Sequence, residues 1–204
     1  SSDVCSSDLD AIRALGVDGD ELEATVALAA TGFRTTLDLA VDRGRAGFRR
    51  YRSHRTVPIT GCLVAHPLLV ELVTDADYGD ATEVLLRCGA RTGERMAAPL
   101  PADSVIRVPD DVARDAVHEE AAGRTWRISA DSFAQASPEA MDTLTAHVLA
   151  AADEVRTRHA VDLYCGVGIF AGALADRGWS VTAIDGAPSA VADAHHRSEE
   201  HTSE

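Results

Sequence analysis

The first legible pattern is an alternation. Thr35–Val41, TTLDLAV, puts Leu37, Leu39 and Val41 on one side, which predicts a half-buried strand. Asp42-Arg43-Gly44 reads as a turn, and Ala46–Tyr51 resumes an extended stretch. Val57–Ile59 is a further short strand, confined by Pro58 to an edge or a bulge. The period then lengthens, and His66–Asp75, HPLLVELVTD, predicts a helix with Pro67 near its first turn. Thr82–Leu86 and Ser104–Val108 return to strand patterning. Asp115–Glu119 and Thr125–Ser129 flank Ala122-Gly123-Arg124 as a hairpin. Strands with few helices between them predict an antiparallel α+β domain over residues 10–129.

From Ala130 the pattern changes. Ser137-Pro138-Glu139 is a helix start, with a capping serine, a proline at the first helical position and an acid in the first turn. Met141, Leu144, His147, Val148 and Val155 carry a helical stripe to about Arg158. Ala160–Tyr164 is a strand, a glycine loop follows, and a helix Ile169–Arg177 stops at Gly178. Val181–Ile184 is the next strand, with Asp185-Gly186 at its tip, and Pro188–Ala194 opens another helix. That β-α-β-α order over residues 130–196 is the first half of a doubly wound parallel sheet.

The two ends change how much of the chain enters this picture. RSEEHTSE at 197–204 can be encoded by a DNA stretch whose opposite strand, in a shifted frame, encodes almost all of SSDVCSSDL at 1–9. Two ends of one protein have no physical reason to share an oligonucleotide. Both are therefore expected to be adapter-derived tails and are excluded from fold reasoning. The expectation that follows is an internal fragment, native from about Asp10 to His196. Each tail carries −2, so −10 of the formal −14 belongs to the rest. Such a surface repels nucleic acid on average, so any RNA contact must be a local basic patch. No Lys or Asn occurs, which points to a GC-rich, bacterial source. Outside the tails, Cys62, Cys88 and Cys165 form neither a disulfide framework nor a zinc pattern. No apolar run is long enough to span a bilayer, and the default expectation is a cytoplasmic protein without membrane or metal partners.

The candidate chemistry sits in VDLYCGVGIF, Val161–Phe170. Gly166 and Gly168 permit backbone conformations and close approach that a Cβ blocks. The helix start that follows offers N–H groups to polar or anionic ligand parts. Asp185, at the tip of the second strand, is placed to bind two ribose hydroxyls. The third glycine comes one residue late for a dinucleotide fingerprint, at Gly172. Asp162 precedes the loop, where a carboxylate repels a pyrophosphate but helps order a methionine ammonium. The pattern therefore favours S-adenosylmethionine over a dinucleotide, with a tight turn that holds nothing as the plain alternative.

DLYCGVGIF resembles the D-L-Y-C-G-x-G-x-F loop of the RNA uridine-5 methyltransferases, which make 5-methyluridine in transfer and ribosomal RNA. DSFAQAS, Asp131–Ser137, resembles the family's S-F-x-Q-x-N segment, and VPITGCLVAHPL, Val57–Leu68, resembles a V-x-x-C-x-x-x-x-P-x-L stretch of its central domain. The resemblance implies an antiparallel α+β central domain followed by an incomplete α/β Rossmann-like class I methyltransferase domain. It implies cofactor contacts from Gln135, Tyr164 and Asp185. Ile169 stands where many members place Asn or Thr, so that contact is lost or falls to backbone. In the family a cysteine thiolate adds to C6 of uracil, and a carboxylate base follows it; both lie beyond residue 196, so no catalytic residue is assigned and the chain itself is expected not to catalyse. Cys165 reads as a small packing residue instead. A class I methyltransferase of a protein or small molecule, or a non-catalytic RNA-binding paralogue, are the alternatives.

One further stretch stands out on this acidic chain. Arg43–Arg55, RGRAGFRRYRSHR, interleaves Phe48 and Tyr51 with arginines. Arg45, Arg49, Arg50 and Arg52 are the candidate RNA-binding residues, since arginines hold phosphates while aromatics stack on unpaired bases. The plain alternative is a solvated hairpin face with Phe48 in the core.

Overall fold

The computed structural model of the chain describes residues 26–200. The tail 1–9, the start of the 10–129 segment and residues 201–204 lie outside the described residues. Among the described residues ten strands and four helices follow in order: β1 (Thr36–Asp42), β2 (Arg45–Arg49), β3 (Thr56–Pro58), α1 (Pro67–Asp75), β4 (Glu83–Cys88), β5 (Arg95–Leu100), β6 (Val112–Ala113), β7 (Ala116–Ala121), β8 (Arg124–Ser129), α2 (Pro138–Asp153), β9 (His159–Leu163), α3 (Ile169–Asp176), β10 (Ser180–Ile184) and α4 (Pro188–Glu200).

The first six strands form one sheet in the order β3-β2-β1-β4-β5-β6, antiparallel except where β6 joins β5 in parallel. The β1–β2 turn places Arg43 at φ 50° and Gly44 at φ 74°, the pair of left-handed residues that a two-residue hairpin turn uses. β3, with Pro58, takes an edge, where a missing N–H costs no ladder bond. The expected alternation of β1 holds. Leu37 and Leu39 enter a core with Val84 and Leu86 of β4, closed by Leu69, Leu72 and Val73 of α1. His66 caps α1 by accepting from the Leu68 amide.

The other face of this sheet receives the β7–β8 hairpin. Met96 packs there with Val117, Trp126, Ile128, Met141, Val167 and Ile169. Glu119 of β7, though buried, accepts from the Ala90 and Arg91 amides at 2.6 and 3.1 Å and so ties the hairpin to the β4–β5 loop. The remaining unit is β9-α3-β10-α4, whose two strands pair in parallel with Val161 opposite Thr182 and Leu163 opposite Ile184. Ala160 and Val181, on one face of this pair, pack towards Leu174, Ala152 and Trp179; Val161, Leu163 and Ile184, on the other, are exposed.

Three expectations are corrected. Ser104–Val108 is not a strand, and its only ladder contact is an isolated bridge from Arg107 to Asp77. β5 and β6 were not foreseen. α2 ends at Asp153 rather than near Arg158. Asp153 and Glu154 sit where the negative end of the helix dipole disfavours acids.

Candidate functional site

The glycine loop is built by three left-handed residues in close succession. Tyr164, Gly166 and Gly168 have φ of 60°, 55° and 82°. Gly168 stands at the N-cap of α3, and no side chain caps that helix. A Cβ on Gly166 would lie 2.9 Å from the carbonyl oxygen of Phe133, so the loop and the Phe133–Gln135 segment touch backbone to backbone. The two motif stretches, about thirty residues apart in sequence, are thus neighbours.

Two carboxylates organise the loop. Asp185 accepts from the Gly166 amide and from the Ala187 amide, both at 2.8 Å. The Ala187 bond, then the Gly166 bond, hold its carboxyl below the usual carboxylate range. Each oxygen of a carboxylate accepts more than one hydrogen bond, so Asp185 keeps capacity for hydroxyl donors. Asp162 accepts from the Ala171 amide at 3.2 Å, inside the first turn of α3. Burial pushes its carboxyl up, against that bond, and the nearby Asp185 charge adds to the rise. These acids, the glycine loop and the start of α3 are joined by hydrogen bonds, so N–H groups and carboxylates stand together there.

The other candidates are placed differently. Tyr164 is 89% exposed at the rim of the loop. Gln135 lines an open groove of about 580 Å³ with Arg34, Thr36, Asp38, Arg87 and Phe133, a lining that includes no residue of the glycine loop. Ile169 is buried among Met96, Val167 and the β7–β8 hairpin, so its side chain belongs to the core and only its backbone faces the loop. Cys165 points its thiol at the Gly166 carbonyl at 3.6 Å. Burial first, and the Glu119 charge second, push the Cys88 thiol up to about 12, so it is not a thiolate near neutrality. Among the described residues no group of three potential metal ligands comes together, and no helix is long and apolar enough to cross a membrane.

Residues outside the quoted motifs hold the Gln135 segment. Arg87 of β4 is buried and donates to the carbonyls of Ser129 at 2.6 Å and Ser132 at 2.9 Å. Thr35 donates its amide to the Ala136 carbonyl at 2.9 Å. Nothing local in the sequence marked these; a lone arginine in the apolar run of β4 was the one available signal.

The arginine-rich stretch forms the β2–β3 hairpin. Phe48 is 41% exposed and not in the core, while a solvated hairpin face remains compatible with the stretch. Tyr51 is 82% exposed, with the Arg52 guanidinium 5.1 Å from its ring centroid. Arg45 and Arg50 are exposed, and Arg49 pairs with Glu83 across the sheet.

A strand, glycine loop, helix and parallel strand with an acid at the second strand tip is the opening unit of a Rossmann-like fold. No protein-family model matches the chain. It is 35% identical to a protein named as an uncharacterized RNA methyltransferase of Streptomyces avermitilis, over 88% of this chain and 46% of the relative. A second such protein, from Streptomyces coelicolor, is 37% identical over 80% of this chain and 41% of its own length. The chain thus spans less than half the length of these relatives. Among solved structures it resembles the Pyrococcus abyssi tRNA (uracil-54, C5)-methyltransferase, determined with S-adenosyl-L-homocysteine. The TM-score is 0.64 at 23% identity, covering 85% of this chain and 54% of that one. These sequence relatives carry the name RNA methyltransferase, and the structural neighbour shares the fold.

Proposed function

We propose that this chain is the cofactor-holding portion of an RNA methyltransferase that transfers a methyl group from S-adenosylmethionine to C5 of a uridine in tRNA or rRNA. The observation that carries the proposal is the junction at Gly166. There an amide bonded to Asp185 lies against the Phe133 backbone, so the two segments that resemble the family's cofactor motifs meet in one place. S-adenosylmethionine supplies the electrophilic methyl group. Gly166 and Gly168 leave room for its backbone approach, Asp162 and the start of α3 suit its charged methionine end, and Asp185 suits its ribose hydroxyls. Tyr164 and Gln135 flank that position from the rim and from the groove. Arg45, Arg50 and Arg52 beside Tyr51 and Phe48 suit a single-stranded RNA segment, with Arg49 already engaged by Glu83.

In this proposal residues 26–129 belong to the central domain and 130–196 to the start of the methyltransferase domain, and the intact enzyme acts in the cytoplasm. In this proposal the nucleophilic cysteine and the base are groups other than those of the loop, and the chain as given binds cofactor weakly and transfers no methyl group. A non-catalytic paralogue was suggested by Ile169. Its burial in the core makes that residue uninformative about the cofactor, which weakens the alternative.

Calorimetric titration with S-adenosylhomocysteine and, separately, with NAD tests the reading. One-to-one binding of the first, weaker than micromolar, and none of the second is the expected result. Binding of NAD alone would assign the loop to a dinucleotide. Methyl transfer from labelled cofactor to unmodified tRNA by this chain would overturn the assignment of the catalytic groups elsewhere.

A further inference from the structure

A buried carboxylate far along the chain holds the segment that leads into Phe133–Gln135. Asp193, on α4, has a side chain with 0% exposure. One oxygen accepts from the Ser129 amide at 2.8 Å and the Ser132 hydroxyl at 2.6 Å. The other accepts from the Ser129 hydroxyl at 2.7 Å and from the Arg127 guanidinium. Burial raises this carboxyl, but the bonds from Ser132, Ser129 and Arg127 together bring it below the usual range, so it is charged near neutrality.

The same two serines are gripped from the opposite side. Their carbonyls go to Arg87 of β4, while their amide and hydroxyls go to Asp193 of α4. Four residues on, the Ala136 carbonyl is held by Thr35. The backbone is thereby fixed at 129, 132 and 136, on either side of Phe133, whose carbonyl stands against Gly166. The helix that carries Asp193 starts at Pro188, three residues after Asp185, one of whose oxygens takes the Ala187 amide. Apolar packing would bury this joint without orienting it; charge-assisted hydrogen bonds fix direction as well as distance. Asp193 is therefore bonded to one wall of the loop site and built rigidly onto the other.

We propose that Asp193 is a positioning residue for the cofactor site, setting where Phe133–Gln135 stands relative to the glycine loop and Asp185. The inference rests on the methyltransferase reading for the identity of the ligand, but not for the mechanical role. Peptide-resolved hydrogen exchange on this chain and on Asp193→Asn and Ser132→Ala, each with and without S-adenosylhomocysteine, tests both parts. Asp193→Asn should raise exchange over residues 129–136 by about tenfold or more while β1 and β4 keep their protection, and should weaken S-adenosylhomocysteine binding about tenfold. Ser132→Ala should do the same to a smaller extent. The double variant should bind no worse than Asp193→Asn alone, because the two groups act through one bond. Unchanged exchange over 129–136 overturns the proposal. So does an equal rise in β1 and β4, which makes Asp193 an ordinary stability residue. If Asp193→Asn does not fold, Ser132→Ala, which leaves the carboxylate three donors, decides by the same local-exchange criterion. If the unaltered chain does not bind S-adenosylhomocysteine, the methyltransferase reading falls, and the exchange comparison still decides whether Asp193 fixes the segment.

Discussion

Single residues set the loop's tolerance. At Gly166 an alanine would meet two penalties: a left-handed backbone, worth about 1–2 kcal/mol for a residue with a Cβ, and a contact with the Phe133 carbonyl at 2.9 Å that backbone cannot easily relieve. Gly166→Ala should therefore lower stability in urea unfolding and abolish S-adenosylhomocysteine binding together. Ile169→Thr, a change towards residues common at this position in the family it resembles, should instead cost about 1–3 kcal/mol, because a hydroxyl enters an apolar cluster. Cofactor affinity measured where the variant is still folded should stay nearly constant. The acids give a pH signature of opposite signs. The native pKa of Asp193 lies below its unfolded value, so its stabilisation is present above the unfolded value and is lost as pH falls through the native one. Thermal midpoints should decline from about pH 4 downward, and less steeply in Asp193→Asn. Asp162, raised by burial, acts at higher pH: it takes up a proton on folding between its native value and its lower unfolded one, so acidification through that window adds stability. Asp162→Asn should remove that gain and leave the decline below about pH 4 unchanged.

Elements show what a sequence carries and what it does not. The β7–β8 hairpin, with Ala122 and Gly123 both at positive φ, was legible because turn and alternation lie within a dozen residues. The start of α2 was legible for the same reason, and Ser137 does accept from the Ala140 amide at 3.1 Å. β5, RMAAPL, was not, because both of its faces are covered. Met96 packs under the hairpin while Ala97 packs over α1, so no alternation is left to see. Ser104–Val108 has the alternation without a neighbouring strand to pair with. The loop residues of the candidate site were visible as a motif, whereas Arg87 and Asp193 were not, since their partners lie 42 to 66 residues away. At the β2–β3 hairpin the structure refines which arginines to change. Arg49 is tied to Glu83, so its reversal would disturb the sheet as well as the surface. Arg50→Glu with Arg52→Glu should leave the unfolding midpoint unchanged. In a filter-binding salt series the pair should weaken binding of single-stranded RNA and flatten its salt dependence.

At the scale of the whole molecule, two interiors differ in how well they are finished. The six-stranded sheet is covered by α1 on one face and in part by the hairpin on the other. The β9–β10 pair is covered on one face only, with Val161 and Leu163 at 64% and 61% exposure beside Ile184. Contiguous apolar surface of this kind drives association. Val161→Thr with Leu163→Thr should raise the concentration at which the chain stays monomeric in sedimentation velocity, with little effect on the β1–β4 core. The bond from α4 back to the hairpin strand also has a temporal side. A ribosome releases Ser129 and Ser132 long before Asp193, at separations of 64 and 61 residues. During that interval the nascent chain holds Phe133, Gln135 and the entire glycine loop, yet lacks the group that joins them. Closing so long a loop costs entropy that only the completed bonds repay. Translation thus writes both joined segments first and the fastener last, and a polypeptide stalled before α4 would carry the glycine loop and the Phe133 segment without the carboxylate that ties Ser129 and Ser132 in place.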